Sequence, residues 1–316
     1  MDIKFKIVLF EYYFIQRDKM SFTQYIKAVG TGPKHNHDLT QEQIQDALSL
    51  IFDSKVSTEE IGAFLLGWRV KGESIDEFIG ALNAFDKYIQ KVDLPNSIEL
   101  GYPYDGKADN PYLFPIIAKY LKPFDINLAL CFDSLSHAKK GITLKQICDN
   151  IILSSNIKIY DRKTIFPQLS SLNQLRENLS IRTSFNALEK LTGFAQSKVG
   201  ILGVFHKPYV DKYLQCYKNR YETLAIIKGN EGSFEIFSKV KVWIYKNNTL
   251  EELIIDPKDF DINYTKSWDR ISDTESFQMT QNPSIELEKL AKLNAALFLY
   301  IYTDLFDSIS NAYNNL

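Results

Sequence analysis

Residues 40–89 read TQEQIQDALSLIFDSKVSTEEIGAFLLGWRVKGESIDEFIGALNAFDKYI, and three helix starts are written into this stretch. Thr40-Gln-Glu-Gln43, Ser57-Thr-Glu-Glu60 and Ser74-Ile-Asp-Glu77 each place a hydroxyl residue three positions ahead of a glutamine or glutamate. In such a capping box the hydroxyl accepts an orphan backbone N–H, and the third residue on reaches back to the cap's own N–H. Behind the second box Ile61, Leu65 and Trp68 share one helix face. Behind the third, Ile75, Phe78, Ile79, Leu82, Phe85 and Ile89 form an apolar stripe. Gly72 sits where a left-handed helix stop is wanted. The spacing predicts a small helical domain over residues 20–91, closed by the polar stretch Lys91-Val-Asp-Leu-Pro-Asn-Ser97.

Beyond it the pattern changes. Residues 126–132, 198–205, 223–227 and 241–245 are short apolar runs, and candidate helices fall at 111–121, 143–151, 169–178, 184–191 and 208–219. Such alternation predicts an α/β domain over residues 92–316 with a central, largely parallel sheet. The helices near 169–191 are candidates to pack with the helical domain. A hairpin is expected to turn at Asn247-Asn248, because asparagine tolerates the left-handed conformation of such turns. A long helix from Ser284 to Tyr302 closes the pattern.

The chain has 316 residues, 45% apolar and 24% charged, which excludes a disordered chain. Lys+Arg 37 against Asp+Glu 39 gives a net charge of −2, which excludes a uniformly basic nucleic-acid binder but not a local basic groove. Residues 157–200 carry seven basic against three acidic side chains, and residues 249–288 three against ten. An anionic partner should favour the first region. Cys131, Cys148 and Cys216 have no metal spacing and read as reduced, inert thiols. Residues 1–19 read as an extension that is neither signal peptide nor anchor, with Met20 an alternative start. No apolar run approaches a membrane span, and the expected location is cytoplasmic.

Asp38-Leu-Thr-Gln-Glu-Gln43, Phe64-Leu-Leu-Gly-Trp-Arg-Val-Lys-Gly-Glu73, Arg176-Glu-Asn-Leu-Ser-Ile-Arg-Thr-Ser-Phe-Asn186 and Leu293-Asn-Ala-Ala-Leu-Phe-Leu-Tyr300 together resemble the superfamily of anthranilate phosphoribosyltransferase and the nucleoside phosphorylases (glycosyltransferase family 3). The resemblance runs in order from about Gly30 to Tyr313. It implies a helical domain joined to an α/β domain with a cleft between them, and a homodimer formed through the helical domain.

The family's active-site pattern is altered in this chain. Where the resemblance implies a glycine-rich pyrophosphate loop, the sequence reads Gly101-Tyr-Pro-Tyr-Asp-Gly106, and proline has no N–H to give. The family's N-x-S-T becomes Asn110-Pro-Tyr-Leu113, and its K-H-G-N-R becomes Phe132-Asp-Ser-Leu135. The acidic pair that would hold magnesium becomes Phe234-Glu235, where phenylalanine supplies no oxygen. Glu189-Lys-Leu191 replaces the family's G-P-L. Together with Val29–Leu39, Pro103–Asn110 and Gly229-Asn-Glu-Gly232, these departures resemble the YbiB-type branch, which implies a dimeric nucleic-acid-binding protein.

The expected function is therefore a non-enzymatic nucleic-acid-binding homologue with little sequence specificity, acting on DNA or RNA. The alternative is a glycosyl or phosphoribosyl transferase with an altered donor or acceptor site. A third reading, a scaffold with a closed cleft, follows if Tyr102, Tyr104 and Phe234 fill the pocket. Candidate phosphate-binding residues are Lys34, His35, Lys107, Asn110, Arg176 and Arg182. Lys107 lies among tyrosines, where bases stack and an ammonium meets phosphate. Asn110 binds an anion or caps a helix starting at Pro111, and Arg182 grips phosphate or pairs with an acid. His35 and His37 lack a third ligand for a metal, and Glu231 and Glu235 read as a solvated loop. No metal, cofactor or catalytic triad is expected, and no membrane partner.

Overall fold

The computed structural model describes residues 21–134 and 141–316. The extension over 1–19, the alternative start Met20 and the Leu135 replacement lie outside the described residues. The chain divides into two compact units after Ala81.

The first unit contains α1 (Phe22–Gly30), α2 (Gln41–Phe52), α3 (Thr58–Lys71) and the first half of α4 (Ile75–Tyr88). All three capping boxes form. Thr40 Oγ1 accepts from Gln43 N and Ser57 Oγ from Glu60 N, while Ser74 Oγ accepts from Glu77 N at 3.1 Å. Glu77 does more than cap. Its buried carboxylate accepts from Leu39 N, Trp68 Nε1 and Lys71 Nζ, each at 3.0 Å, and from Ser74 N at 2.8 Å. One acid thus ties the entry to α2, the core of α3 and the start of α4 together, one donor on Oε1 and three on Oε2. At Gly80 a Cβ would lie 2.3 Å from Gln41 O and from Ile44 Cγ2, so only glycine lets α4 approach α2.

The second unit is built on a seven-stranded sheet of order β3-β2-β1-β4-β5-β6-β7. Its strands are β1 (Ser97–Gly101), β2 (Asn127–Phe132), β3 (Ile157–Asp161), β4 (Val199–Gly203), β5 (Thr223–Ile227), β6 (Val240–Lys246) and β7 (Thr249–Ile255). The first five run parallel, and β6 pairs antiparallel with both β5 and β7. Every residue of β1, β4 and β5 is buried, as a sheet covered on both faces requires. The predicted hairpin forms: Lys246 pairs with Thr249 across Asn247 and Asn248, whose φ angles are 51° and 60°.

The helices are α5 (Phe114–Leu121), α6 (Leu144–Asn150), α7 (Arg162–Ile165), α8 (Pro167–Ser170), α9 (Asn173–Leu179), α10 (Phe185–Leu188), α11 (Pro208–Tyr217), α12 (Asp273–Gln281), α13 (Ile285–Tyr302) and α14 (Ile309–Asn314). The long α13 buries Leu290, Leu293, Leu297 and Phe298 in a core shared with α5. Buried Asn294 pins the loop before β6 to α13. Its Oδ1 accepts from Ile236 N at 2.9 Å and its Nδ2 donates to Ile236 O at 3.1 Å.

Three expectations are corrected. The helix expected from Pro111 starts at Phe114, without a side-chain cap, so Asn110 caps nothing. The helix expected over 169–178 is interrupted, its backbone divided between α8 and α9. Strands β1 and β3 were not among the predicted apolar runs, because Glu99 and Lys158 interrupt them.

Candidate functional site

In an open parallel sheet, ligands gather beyond the carboxyl ends of the strands, where the strand order reverses. In this sheet that point lies between β1 and β4. The loops after β1 (residues 102–113) and after β5 (residues 228–239) meet there, and they contain most of the residues the sequence singled out.

Glu235 organises the first part of this site. Its carboxylate accepts from Tyr102 OH at 2.5 Å, from Leu113 N, from Ser233 Oγ at 3.2 Å and from Lys107 Nζ. The Lys107 ammonium also donates to Pro111 O at 2.7 Å and lies over the rings of Tyr112 and Phe237. Lys107 is only 1% exposed. Its charge is answered inside the fold by Glu235 and a carbonyl, and its burial leaves almost no surface for an external phosphate. Tyr102 packs on Phe234 with ring centroids 4.6 Å apart and on Tyr112 at 5.1 Å. Burial, then the Glu235 charge beside it, pushes the Tyr102 hydroxyl far above its usual range.

Glu231 faces the same loop from the other side. Its two oxygens accept from the backbone N–H groups of Ala108 (2.7 Å) and Asp109 (3.0 Å). To do so Glu231 adopts a left-handed φ of 60°, a cost borne by a non-glycine residue. Glycines seat the loop. A Cβ on Gly229 would stand 1.9 Å from Ser233 O, and one on Gly203 would stand 2.2 Å from Ser233 C.

The third part is a buried charge cluster. Arg176 makes two parallel hydrogen bonds to Glu189, and Arg162 bridges Glu189 to Asp133. Asp133 further accepts from Ser170 Oγ and Asn173 Nδ2, each at 2.7 Å. Tyr104 is buried with the Arg162 guanidinium 4.1 Å from its ring centroid. Burial alone would raise the Glu189 carboxyl, but the Arg176 and Arg162 charges outweigh it and hold it at about 2. Beside Tyr102, Tyr104 and Asp133 a hollow of about 10 Å³ remains, room for at most one water.

The six predicted site residues are divided between the two units, two in the first and four in the second. Lys34 and His35 are exposed on the turn over residues 32–37 of the first unit. Lys107, Asn110 and Arg176 are buried in the second unit, and the expectation that they face a phosphate meets neutralised or enclosed groups. Arg182 pairs with Asp105 through Nε at 2.8 Å and through Nη2, its side chain half exposed. Glu231 and Glu235, expected in a solvated loop, are fully engaged. Among the described residues, no three of His, Cys, Asp and Glu gather as a metal site would need, and no helix is long and apolar enough to cross a membrane. Sequence reasoning missed the acids Glu189, Glu231 and Glu235 as partners. The replacement of a G-P-L turn by Glu189-Lys-Leu191 was the available signal.

Residues 23–88 match the helical bundle domain of a glycosyl transferase family. An uncharacterized protein of Aquifex aeolicus (strain VF5) is 30% identical over 202 residues, which span 63% of this chain and 65% of that protein. An anthranilate phosphoribosyltransferase of Caldicellulosiruptor saccharolyticus is 26% identical over 292 residues, 84% of this chain and 85% of that enzyme. Among solved structures, anthranilate phosphoribosyltransferase from Thermus thermophilus superposes with a TM-score of 0.73 at 14% identity, covering 93% of this chain and 92% of that one. The Saccharomyces cerevisiae enzyme in complex with PRPP and Mg gives 0.70 at 15% identity with the same coverage. The helical-bundle match and this run of homologues support the superfamily of anthranilate phosphoribosyltransferase, and the helical unit with its seven-stranded mostly parallel sheet matches that fold.

Proposed function

We propose that this chain is a non-catalytic member of its superfamily, one that binds nucleic-acid phosphates on exposed cations outside the old substrate pocket. The observation that carries the first half is the use of the chain's own carboxylates where substrate anions belong. The resemblance puts a substrate carboxylate at Arg176 and a pyrophosphate at the loop after β1. Glu189 meets Arg176, and Glu231 takes the backbone N–H groups of Ala108 and Asp109 just beyond the Gly101–Gly106 segment. Tyr102, Tyr104 and Phe234 are buried at the same place, as the closed-cleft reading requires. A phosphoribosyl donor would have to displace two internal carboxylates and several aromatic rings.

The nucleic-acid half rests on the resemblance to the YbiB-type branch and on where open cations lie. Lys34 and His35 are available on the first unit, and Lys158 and Lys163 are at least partly exposed in the basic segment of the second. Such contacts give salt-dependent affinity with little sequence preference. A homodimer through the helical domain is part of the same proposal. On α3, Ala63, Leu66 and Val70 make an exposed apolar stripe, with Leu66 42% and Val70 75% exposed, and a second copy would cover it.

The test is fluorescence anisotropy of labelled oligonucleotides at low and near-physiological salt, run beside a transferase assay with PRPP and anthranilate. Binding that weakens steeply with salt, with no turnover, supports the proposal. Turnover would favour a transferase with an altered site, and absence of binding at low salt removes the nucleic-acid half.

A further inference from the structure

A second feature involves the two ends of the loop after β5 and shares no lining residue with the small hollow beside Tyr102 and Tyr104. Phe205, two residues beyond the end of β4, is 59% exposed, with its ring edge-to-face against His206. It borders a surface hollow of about 620 Å³ whose walls also carry Lys228, Lys239, Lys241 and Ile254. Backbone pairing fixes the lysines. Lys228 N donates to Lys241 O at 2.9 Å, and Lys241 stands opposite Ile254 in the β6–β7 register. Ile254 is itself 67% exposed.

The charges are unequally compensated. Lys241 is held by Glu252, and Lys239 reaches Asp256 only at 3.7 Å. Lys228 is exposed with no ionic partner among the described residues. A hollow that joins underpaired ammonium groups to an open aromatic face suits a ligand with a phosphate and a flat apolar part. We propose that it holds one nucleotide of a single strand, the base against Phe205 and Ile254 and the phosphate on Lys228 and Lys239. A duplex hides its base faces in the stack, so the ring selects an unpaired strand. This assignment rests on the nucleic-acid reading above and gives it a location other than the one the sequence suggested.

The test uses the full chain with a labelled 12-nucleotide thymidine strand and a duplex of equal length, at about 50 and 150 mM salt. Phe205→Ala and the pair Lys228→Ala with Lys239→Ala are compared with wild type, and unchanged thermal midpoints show intact folds at these exposed positions. The expected result is tighter binding of the single strand. Phe205→Ala should weaken it about tenfold at unchanged salt slope, and the double lysine variant should weaken it and flatten the slope by about 1. If wild type binds the strand and both variants match it, the site assignment is overturned while the nucleic-acid reading stands. If only the lysine variant matters, and equally for duplex, the hollow is a plain polyanion patch and the stacking assignment is overturned. If wild type binds neither probe at low salt, the underlying reading fails and the assignment with it.

Discussion

Arg176 and Glu189 meet fork to fork, Nη1 to Oε2 and Nη2 to Oε1, both at 2.8 Å, with neither side chain more than 1% exposed. A bidentate pair of this kind is strong only while both members are present. Glu189→Gln should leave two buried guanidiniums with one carboxylate between them, Arg162 keeping Asp133 and Arg176 losing its only ionic partner among the described residues. The expected cost is about 3–5 kcal/mol in urea unfolding. A loss below about 1 kcal/mol would show that the cluster is open to solvent.

The same carboxylate predicts an acid limit. Glu189 is held at about 2 against an ordinary 4.5. A group depressed on folding stabilises fully above its unfolded value and loses that contribution as pH falls from 4.5 through 2. The lost term is about 3 kcal/mol. Unfolding free energies measured across pH 5 to 2 should fall along this slope, and Glu189→Gln should flatten it.

Glu99 predicts the opposite slope. It is buried in β1, where burial raises its carboxyl, while the backbone N–H groups of Thr192 and Gly193 pull it back down. A raised carboxylate stabilises below its unfolded value and loses that contribution as pH rises through the folded one. Glu99→Gln should therefore raise stability at pH 7 by about 1 kcal/mol, with the gain vanishing near pH 4. Equal effects at both pH values would rule the explanation out.

Lys107 is expected to act on stability and not on ligand affinity. Lys107→Ala strands the Glu235 carboxylate in the core and should cost about 3–5 kcal/mol. The double change Lys107→Met with Glu235→Gln should recover part of it. Oligonucleotide affinity of the folded protein should stay within about twofold of wild type, because a 1% exposed ammonium touches no ligand. A tenfold loss of affinity in the folded double variant would return Lys107 to the binding surface.

On the helical unit, Leu66→Glu combined with Val70→Glu should halve the mass seen in sedimentation while leaving far-ultraviolet dichroism unchanged. Both side chains are exposed on α3, so the change is expected to act on association alone. A wild-type protein that sediments as a monomer would end the dimer proposal.

What could be read in advance was local. Thr40, Ser57 and Ser74 each find their partners three residues away, and Asn247-Asn248 turns within two, so short sequence windows hold all the information. Strands β1 and β3 are five residues long with a charged residue inside, and they exist because neighbouring strands pair with them. The site was harder still. Lys107 meets an acid 128 residues away, and Glu231 reaches across 123 residues to the amide of Ala108. Residue type told that these groups are charged. Only the tertiary fold told that their charges are already answered from within.

Glu77 carries a consequence for how such a chain can change over time. Four donors from three segments converge on one carboxylate: Leu39, Trp68, Lys71 and Ser74. No single substitution at the hub leaves the others whole, so these positions are expected to drift as a block, inherited together or lost together. A fragment cut ahead of Ser74 would remove the acceptor of the Trp68 indole and the Leu39 amide at once, and leave the Lys71 ammonium only Asp38 and a carbonyl. The smallest heritable piece of the helical unit therefore extends at least to Glu77.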